Sequence, residues 1–237
     1  MCGFKKPQTR FRQSLWSEEP MVYICASVRS WAGGGRRGRR RRRSGLEHWN
    51  WPEDSTATVT CYTNCPEAAL TLNGEPVGTA SLSEAREGVL TLQVPYAPGV
   101  LRAVGRQDGR DVCEFVLRTA GVAQKIMLSA DSNRLLADGK DISHIEFQIT
   151  DGEGVRVHDA DTEVRFDVEG PAAIIGIENG DLSSLDDPKD NVHRAYQGRG
   201  LAILQSVRQS GTVLVTARAE GLQSAFVEIN VAQASVH

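Results

Sequence analysis

The side chains of this 237-residue chain that could cut bonds or hold ions are five histidines, five cysteines and a run of aspartates, and their spacing limits what they can do. His48, His144, His158, His193 and His237 include no pair four residues apart and none beside a Cys-x-x-Cys. Those are the spacings at which one element presents two zinc ligands, so neither zinc nor any other cofactor is expected. Cys61 and Cys65 are four residues apart, which in an extended strand is about 13 Å, too far for a disulfide. They read as core or half-buried thiols. An odd number of cysteines leaves at least one free thiol in a monomer.

Asp181, Asp186, Asp187 and Asp190 are carboxylates crowded into one stretch, and a glycosidase acid/base pair needs two such groups. A general acid also needs surroundings that raise its pKa, which a Ser/Asp/Pro-rich loop open to water does not provide. These residues therefore read as a solvated loop or an incidental cation contact. The chain has no Gly-x-Ser-x-Gly and no phosphate-cradling glycine loop between a strand and a helix. No catalytic, cofactor-binding or metal-binding residue is assigned.

The arginine run Arg36–Arg43 does have an obvious partner class, since clustered guanidinium groups attract phosphates. It lies in residues 33–45, GGGRRGRRRRRSG, which can bury no apolar surface and repels itself, so a disordered, solvated insertion is expected. Up to Trp51 the chain carries 12 basic and 3 acidic residues, which leaves 15 and 27 for the remainder. No aromatic residue interrupts the arginines, and an acidic body surrounds them, so nucleic acid is an unlikely partner.

The elements that would position these groups are almost all strands. At 40% hydrophobic and 24% charged residues, the chain as a whole is neither disordered nor collagen-like. Its longest apolar stretches, such as Met21–Ala26, fall far short of the roughly 20 residues that span a bilayer, and Met1–Arg12 lacks the apolar run of a secretory leader. Residues 8–16 suit a short amphipathic helix with Phe11, Leu15 and Trp16 on its apolar side, followed by a strand at 21–26. Strands are then predicted over 57–62, 68–72, 89–94, 100–105 and 112–117, with turns at Asn73-Gly74, Pro98-Gly99 and Asp108-Gly109. After Thr119-Ala120-Gly121 the pattern restarts over 125–129, 144–150, 162–168, 172–177, 201–207, 213–219 and 225–231.

Ile145, Phe147 and Ile149 alternate with Glu146, Gln148 and Thr150, which predicts one buried and one wet face. Short alternating strands with a turn every 8–12 residues predict an all-β chain of two tandem immunoglobulin-like antiparallel β-sandwiches. The division expected is 1–32 as a helical or irregular lead-in, 33–45 as the Gly/Arg tract, 46–120 as the first sandwich and 121–237 as the second.

Several ordered motifs carry a resemblance. His48-Trp49-Asn50-Trp51, Tyr62-Thr63-Asn64-Cys65, Leu70-Thr71-Leu72-Asn73-Gly74 and Val94-Pro95-Tyr96-Ala97-Pro98-Gly99-Val100-Leu101 resemble the C-terminal part of glycoside hydrolase family 2 enzymes of the β-galactosidase type. Ala137-Asp138-Gly139-Lys140-Asp141-Ile142, Glu178-Asn179-Gly180-Asp181 and Gly198-Arg199-Gly200-Leu201-Ala202-Ile203 are similar to the second immunoglobulin-like module of the same enzymes. Cys2-Gly3-Phe4-Lys5-Lys6-Pro7 with Gln13-Ser14-Leu15-Trp16 resembles the end of the catalytic barrel. The resemblance implies that residues 1–32 are a remnant of a (β/α)8 barrel whose two catalytic glutamates lie upstream of residue 1.

On this reading the chain is not an enzyme by itself. It is a non-catalytic accessory region whose partner is the catalytic barrel of a glycosidase. Trp16, Trp49 and Trp51 are rings whose burial is worth about 1.5–3 kcal/mol each. With His48 and Asn50 as polar anchors, they are the candidates for packing between domains. The alternative for Trp49 and Trp51 is the first strand of the sandwich, one ring in and one out. The alternative for the whole chain is an independent carbohydrate-binding or adhesion module, followed by a polyanion binder built on the arginines.

Overall fold

The computed structural model describes residues 2–28, 45–85 and 88–233. The expectations for the Gly/Arg tract up to residue 44 and for His237 fall outside the described residues. Two compact units are present, one of Lys5–Thr119 and one of Ala120–His237 together with Met1–Phe4.

In the first unit α1 (Pro7–Trp16) precedes β1 (Val22–Val28), β2 (Thr56–Thr63), β3 (Glu67–Leu72), β4 (Glu75–Ser81), β5 (Leu90–Pro95), β6 (Val100–Gln107) and β7 (Arg110–Arg118). They form a three-stranded sheet, β1-β2-β5, and a four-stranded sheet, β4-β3-β6-β7. Ile24, Val59 and Val94 from the first sheet and Leu70, Leu101 and Leu117 from the second fill one core between them. β1 was assigned to the 1–32 lead-in, yet it pairs along its whole length with β2, from Val22 opposite Thr63 to Val28 opposite Ala57. Five successive buried residues, Val22–Ala26, fit this: Val22, Ile24 and Ala26 face the sandwich core, while Tyr23 and Cys25 pack with Tyr62, Phe115 and Phe11 of α1.

Asn73-Gly74 joins β3 to β4, and Asp108-Gly109 joins β6 to β7. All four residues have positive φ, at 54°, 89°, 51° and 73°, as two-residue type I′ hairpin turns require. The partner strand after Asn73-Gly74, β4, was not predicted. Pro76 and Gly78 weaken its strand signal, and it survives as a sheet edge, where a missing N–H costs no ladder bond.

α1 forms where expected but turns a different face inward. Phe11 packs on Tyr62 with ring centroids 5.4 Å apart, and Ser14 is buried with its hydroxyl donating to the Phe11 carbonyl at 2.7 Å. At 100° per residue, a helix that buries positions 11 and 14 carries position 16 to the far side. Leu15 and Trp16 are accordingly 56% and 79% exposed.

The second unit holds β8 (Lys125–Ala130), β9 (Arg134–Leu136), β10 (Ile142–Thr150), β11 (Glu163–Glu169), β12 (Ala172–Glu178), β13 (Val192–Arg194), β14 (Arg199–Ser206), β15 (Gly211–Arg218) and β16 (Ala225–Ala232). A four-stranded sheet, β12-β14-β10-β8, faces a five-stranded one, β13-β11-β15-β16-β9. Ile145, Phe147 and Ile149 meet Phe166, Val213 and Val215 in the core, with Phe147 edge-on to Phe166 at 5.4 Å. Thr150, expected on the wet face, is fully buried at the end of β10, opposite Lys125. One ladder departs from the antiparallel expectation: β9 runs parallel to β16, with Arg134 opposite Asn230. The three-residue strands β9 and β13 were not predicted, being too short to show a period. Residues 2–4 belong to this unit, where the Arg199 guanidinium lies 4.1 Å from the Phe4 ring.

Candidate functional site

The residues expected to brace another body divide into two groups. His48, Trp49, Asn50 and Trp51 follow one another in an extended segment before β2. An extended chain sends neighbouring side chains to opposite sides. Trp49 goes into the first unit's core, fully buried, with its ring edge-on to Tyr96 at 5.5 Å and its Nε1–H donating to the Ala97 carbonyl at 3.0 Å. The Thr119 hydroxyl donates to the Trp49 carbonyl at 2.7 Å and accepts the Gly99 N–H at 2.9 Å, so the last residue of this unit clamps the segment. Thr119 stood out in the sequence as the end of a module, but nothing there revealed this bond.

His48 and Trp51 face each other with ring centroids 4.3 Å apart, and His48 Nδ1 accepts the Asn50 N–H at 3.1 Å. Trp51 is 8% exposed and belongs to the same core. The expectation of one ring in and one out is corrected. Both rings are buried in the one core, as residues two apart on an extended chain share a side. Among the described residues, the buried Trp51 Nε1–H meets no acceptor. Such an orphan donor costs roughly 1–3 kcal/mol and calls for an explanation.

Trp16 stands apart from these four as the last residue of α1, next to Leu15. Asn64 fastens the chain just after it. Its side chain donates to the Ser17 carbonyl at 2.9 Å and the Glu19 carbonyl at 2.8 Å, and accepts the Met21 N–H at 2.8 Å. The two adjacent apolar side chains are thus held outward on a fixed helix.

The crowded carboxylates accept backbone N–H groups. Asp181 accepts from the Ser183 N–H and hydroxyl, which hold its carboxyl below the usual range, and Asn179 caps Asp181. Asp186 accepts the Arg194 N–H, Asp187 the Lys189 N–H and Asp190 the Asn191 N–H. His193 is buried beside Asp186, with Nδ1 at 3.6 Å, and His144 pairs with Asp131 at 2.8 Å. Cys61 and Cys65 are buried, as read from the sequence, and burial pushes Cys61 up to about 12. Sequence spacing missed a different approach, since Cys65 and Cys113, 48 residues apart, bring their sulfurs within 3.6 Å.

The chain is similar to known proteins along nearly its whole length. Residues 126–228 match the model described as glycoside hydrolase family 2 C-terminal domain 5, and residues 54–113 match a domain of unknown function (DUF4982). A β-galactosidase of Bacteroides ovatus is 28% identical over 231 residues, which take in 97% of this chain and 25% of that protein. A β-galactosidase of Thermoanaerobacter pseudethanolicus is 24% identical over 184 residues, covering 71% of this chain and 23% of its own length. The crystal structure of a glycosyl hydrolase family 2 member from Bacteroides cellulosilyticus superimposes with a TM-score of 0.89 and 32% identity, covering 99% of this chain and 31% of that one. The chain therefore spans about a quarter to a third of the length of these relatives.

Proposed function

The chain carries the C-terminal region of glycoside hydrolase family 2, and from that premise we propose that it is a non-catalytic accessory region that packs against and supports the catalytic barrel of a β-galactosidase-like enzyme. The observation that carries this reading is the outward pair Leu15 and Trp16 on a helix whose other side is already packed. Leaving two adjacent large apolar side chains in water forgoes about 1.5–3 kcal/mol each, and a barrel seated on them recovers it. Trp49 serves inside the sandwich, and Trp16 takes the interdomain role.

The bond-breaking carboxylates belong on this account to another part of a longer polypeptide. The aspartates of the 181–190 loop accept backbone N–H groups, and Asp181 is shifted away from the raised pKa a general acid needs. The test is turnover by the purified chain of aryl β-galactosides and aryl β-glucuronides. No hydrolysis above background is expected. Hydrolysis abolished by substituting one of this chain's own carboxylates would overturn the assignment.

A further inference from the structure

Cys65 and Cys113 converge at a place that the bracing role does not use. Cys65 lies in the crossing from β2 to β3 and is 2% exposed, while Cys113, on β7, is partly exposed. Their Sγ atoms are 3.6 Å apart. The space for both comes from Gly105 on β6, opposite Cys113 in register. A Cβ at Gly105 would lie 2.6 Å from Cys113 Sγ, 2.7 Å from Cys65 Sγ and 3.3 Å from Cys65 Cβ. Two thiols thus share the volume that one missing methyl group leaves. A disulfide is about 2.05 Å long, so closing it asks the sulfurs to approach by about 1.5 Å.

We propose that Cys65 and Cys113 are a site of reversible oxidation at which a peroxide forms a disulfide, tying the β2–β3 crossing to the edge strand β7. The partly exposed Cys113 thiol attacks hydrogen peroxide, the O–O bond breaks, and Cys113 sulfenic acid and water result. The Cys65 thiol then displaces the hydroxyl group from that sulfur, which forms the S–S bond and releases a second water. Two thiols are oxidised and one peroxide is reduced. Burial pushes the Cys113 thiol up to about 12, so thiolate is scarce at neutral pH and the reaction is slow there.

The test treats the whole chain with hydrogen peroxide at pH 7.5 and pH 8.5, alkylates free thiols after denaturation, and maps tryptic peptides by mass spectrometry. The expected product joins the Asp111–Arg118 peptide to the one holding Cys65, about 2 Da lighter than the two thiol peptides together. It reverts with dithiothreitol and forms about tenfold faster at pH 8.5, following the thiolate fraction. Fragmentation between Tyr62 and Asn64 separates Cys65 from Cys61. Recovery of Cys65 and Cys113 as alkylated thiols while Cys2 is oxidised overturns the proposal, as does a link from Cys113 to Cys61. Cys113→Ser should remove the product, and the map of the unaltered chain decides the matter even if that variant does not fold.

Discussion

Trp49 donates its indole N–H to the carbonyl oxygen of Ala97 at 3.0 Å. That bond fixes the ring inside the first sandwich and ties the segment before β2 to the Pro98-Gly99 turn. It also sets Trp49 apart from Trp16: Trp49 and Trp51 are buried in the module, and Trp16 is 79% exposed.

Replacing Trp49 and Trp51 by phenylalanine tests this division, because the two indoles differ in what their N–H groups meet. Trp49→Phe loses a made hydrogen bond and some ring volume and leaves the Ala97 carbonyl unpaired. It should destabilise the isolated chain by about 1–3 kcal/mol. Trp51→Phe removes a donor that has no acceptor, so its cost should be smaller by about 1 kcal/mol or more. Urea denaturation followed by circular dichroism compares the two, and an equal loss would contradict the asymmetry.

Gly200→Ala should be among the most damaging single-methyl additions in the second sandwich. Gly200 pairs with Phe147 across β14 and β10, and a Cβ there would fall 2.3 Å from Phe147 Cζ and 3.1 Å from the Glu178 carbonyl oxygen. The ring cannot retreat, since Phe166 packs edge-on against it. A loss of about 1–3 kcal/mol or more is expected from overpacking. Thermal melting of the variant measures it, and an unchanged midpoint would show that the ring moves freely.

Acid should weaken the second unit through Asp151. This nearly buried carboxylate accepts the N–H groups of Gly121 at 2.8 Å, Val155 at 2.8 Å and Glu153 at 3.0 Å. Burial works to raise its pKa, but the donated hydrogen bonds outweigh it and hold the group below the ordinary carboxylate value. The folded-state pKa is thus lower than the unfolded one. The contribution is fully present above about pH 4–5 and is lost as the pH falls through the folded value. Urea midpoints should drop between pH 5 and pH 2.5, and Asp151→Asn should flatten that limb. A variant with the same acid slope as the unaltered chain would assign the effect elsewhere, with Asp131 held low by His144 and Ser143 as the next candidate.

Much of the fold was legible because strand alternation and turn residues are local signals. Ile145, Phe147 and Ile149 declared one face, and Asn73-Gly74 declared a hairpin in which only positive-φ residues fit. What escaped was set by tertiary context. Pro76 and Gly78 mask an edge strand, β9 and β13 are too short to show a period, and the β9–β16 pairing joins residues almost a hundred apart. The helix was found but not its orientation, since Phe11, Leu15 and Trp16 are all apolar and only β1 and β2 decide which of them is covered. The aromatic cluster around Trp49 was legible as residues but not as a direction. Cys65 and Cys113 meet because the β2–β3 crossing passes close to Gly105, which is paired with Cys113 on the neighbouring strand.

The most direct measurement of the bracing role compares the melting temperature of Trp16→Ser in two settings, the isolated chain and a longer family 2 polypeptide that contains it. With the ring 79% exposed, the isolated chain should change by no more than about 0.5 kcal/mol. In the longer protein, if a barrel covers the ring as proposed, the same substitution should cost about 1.5–3 kcal/mol and lower the melting temperature by several degrees. An equal, negligible effect in both would mean that Trp16 braces nothing, and the account of this chain as a support for a catalytic barrel would fail.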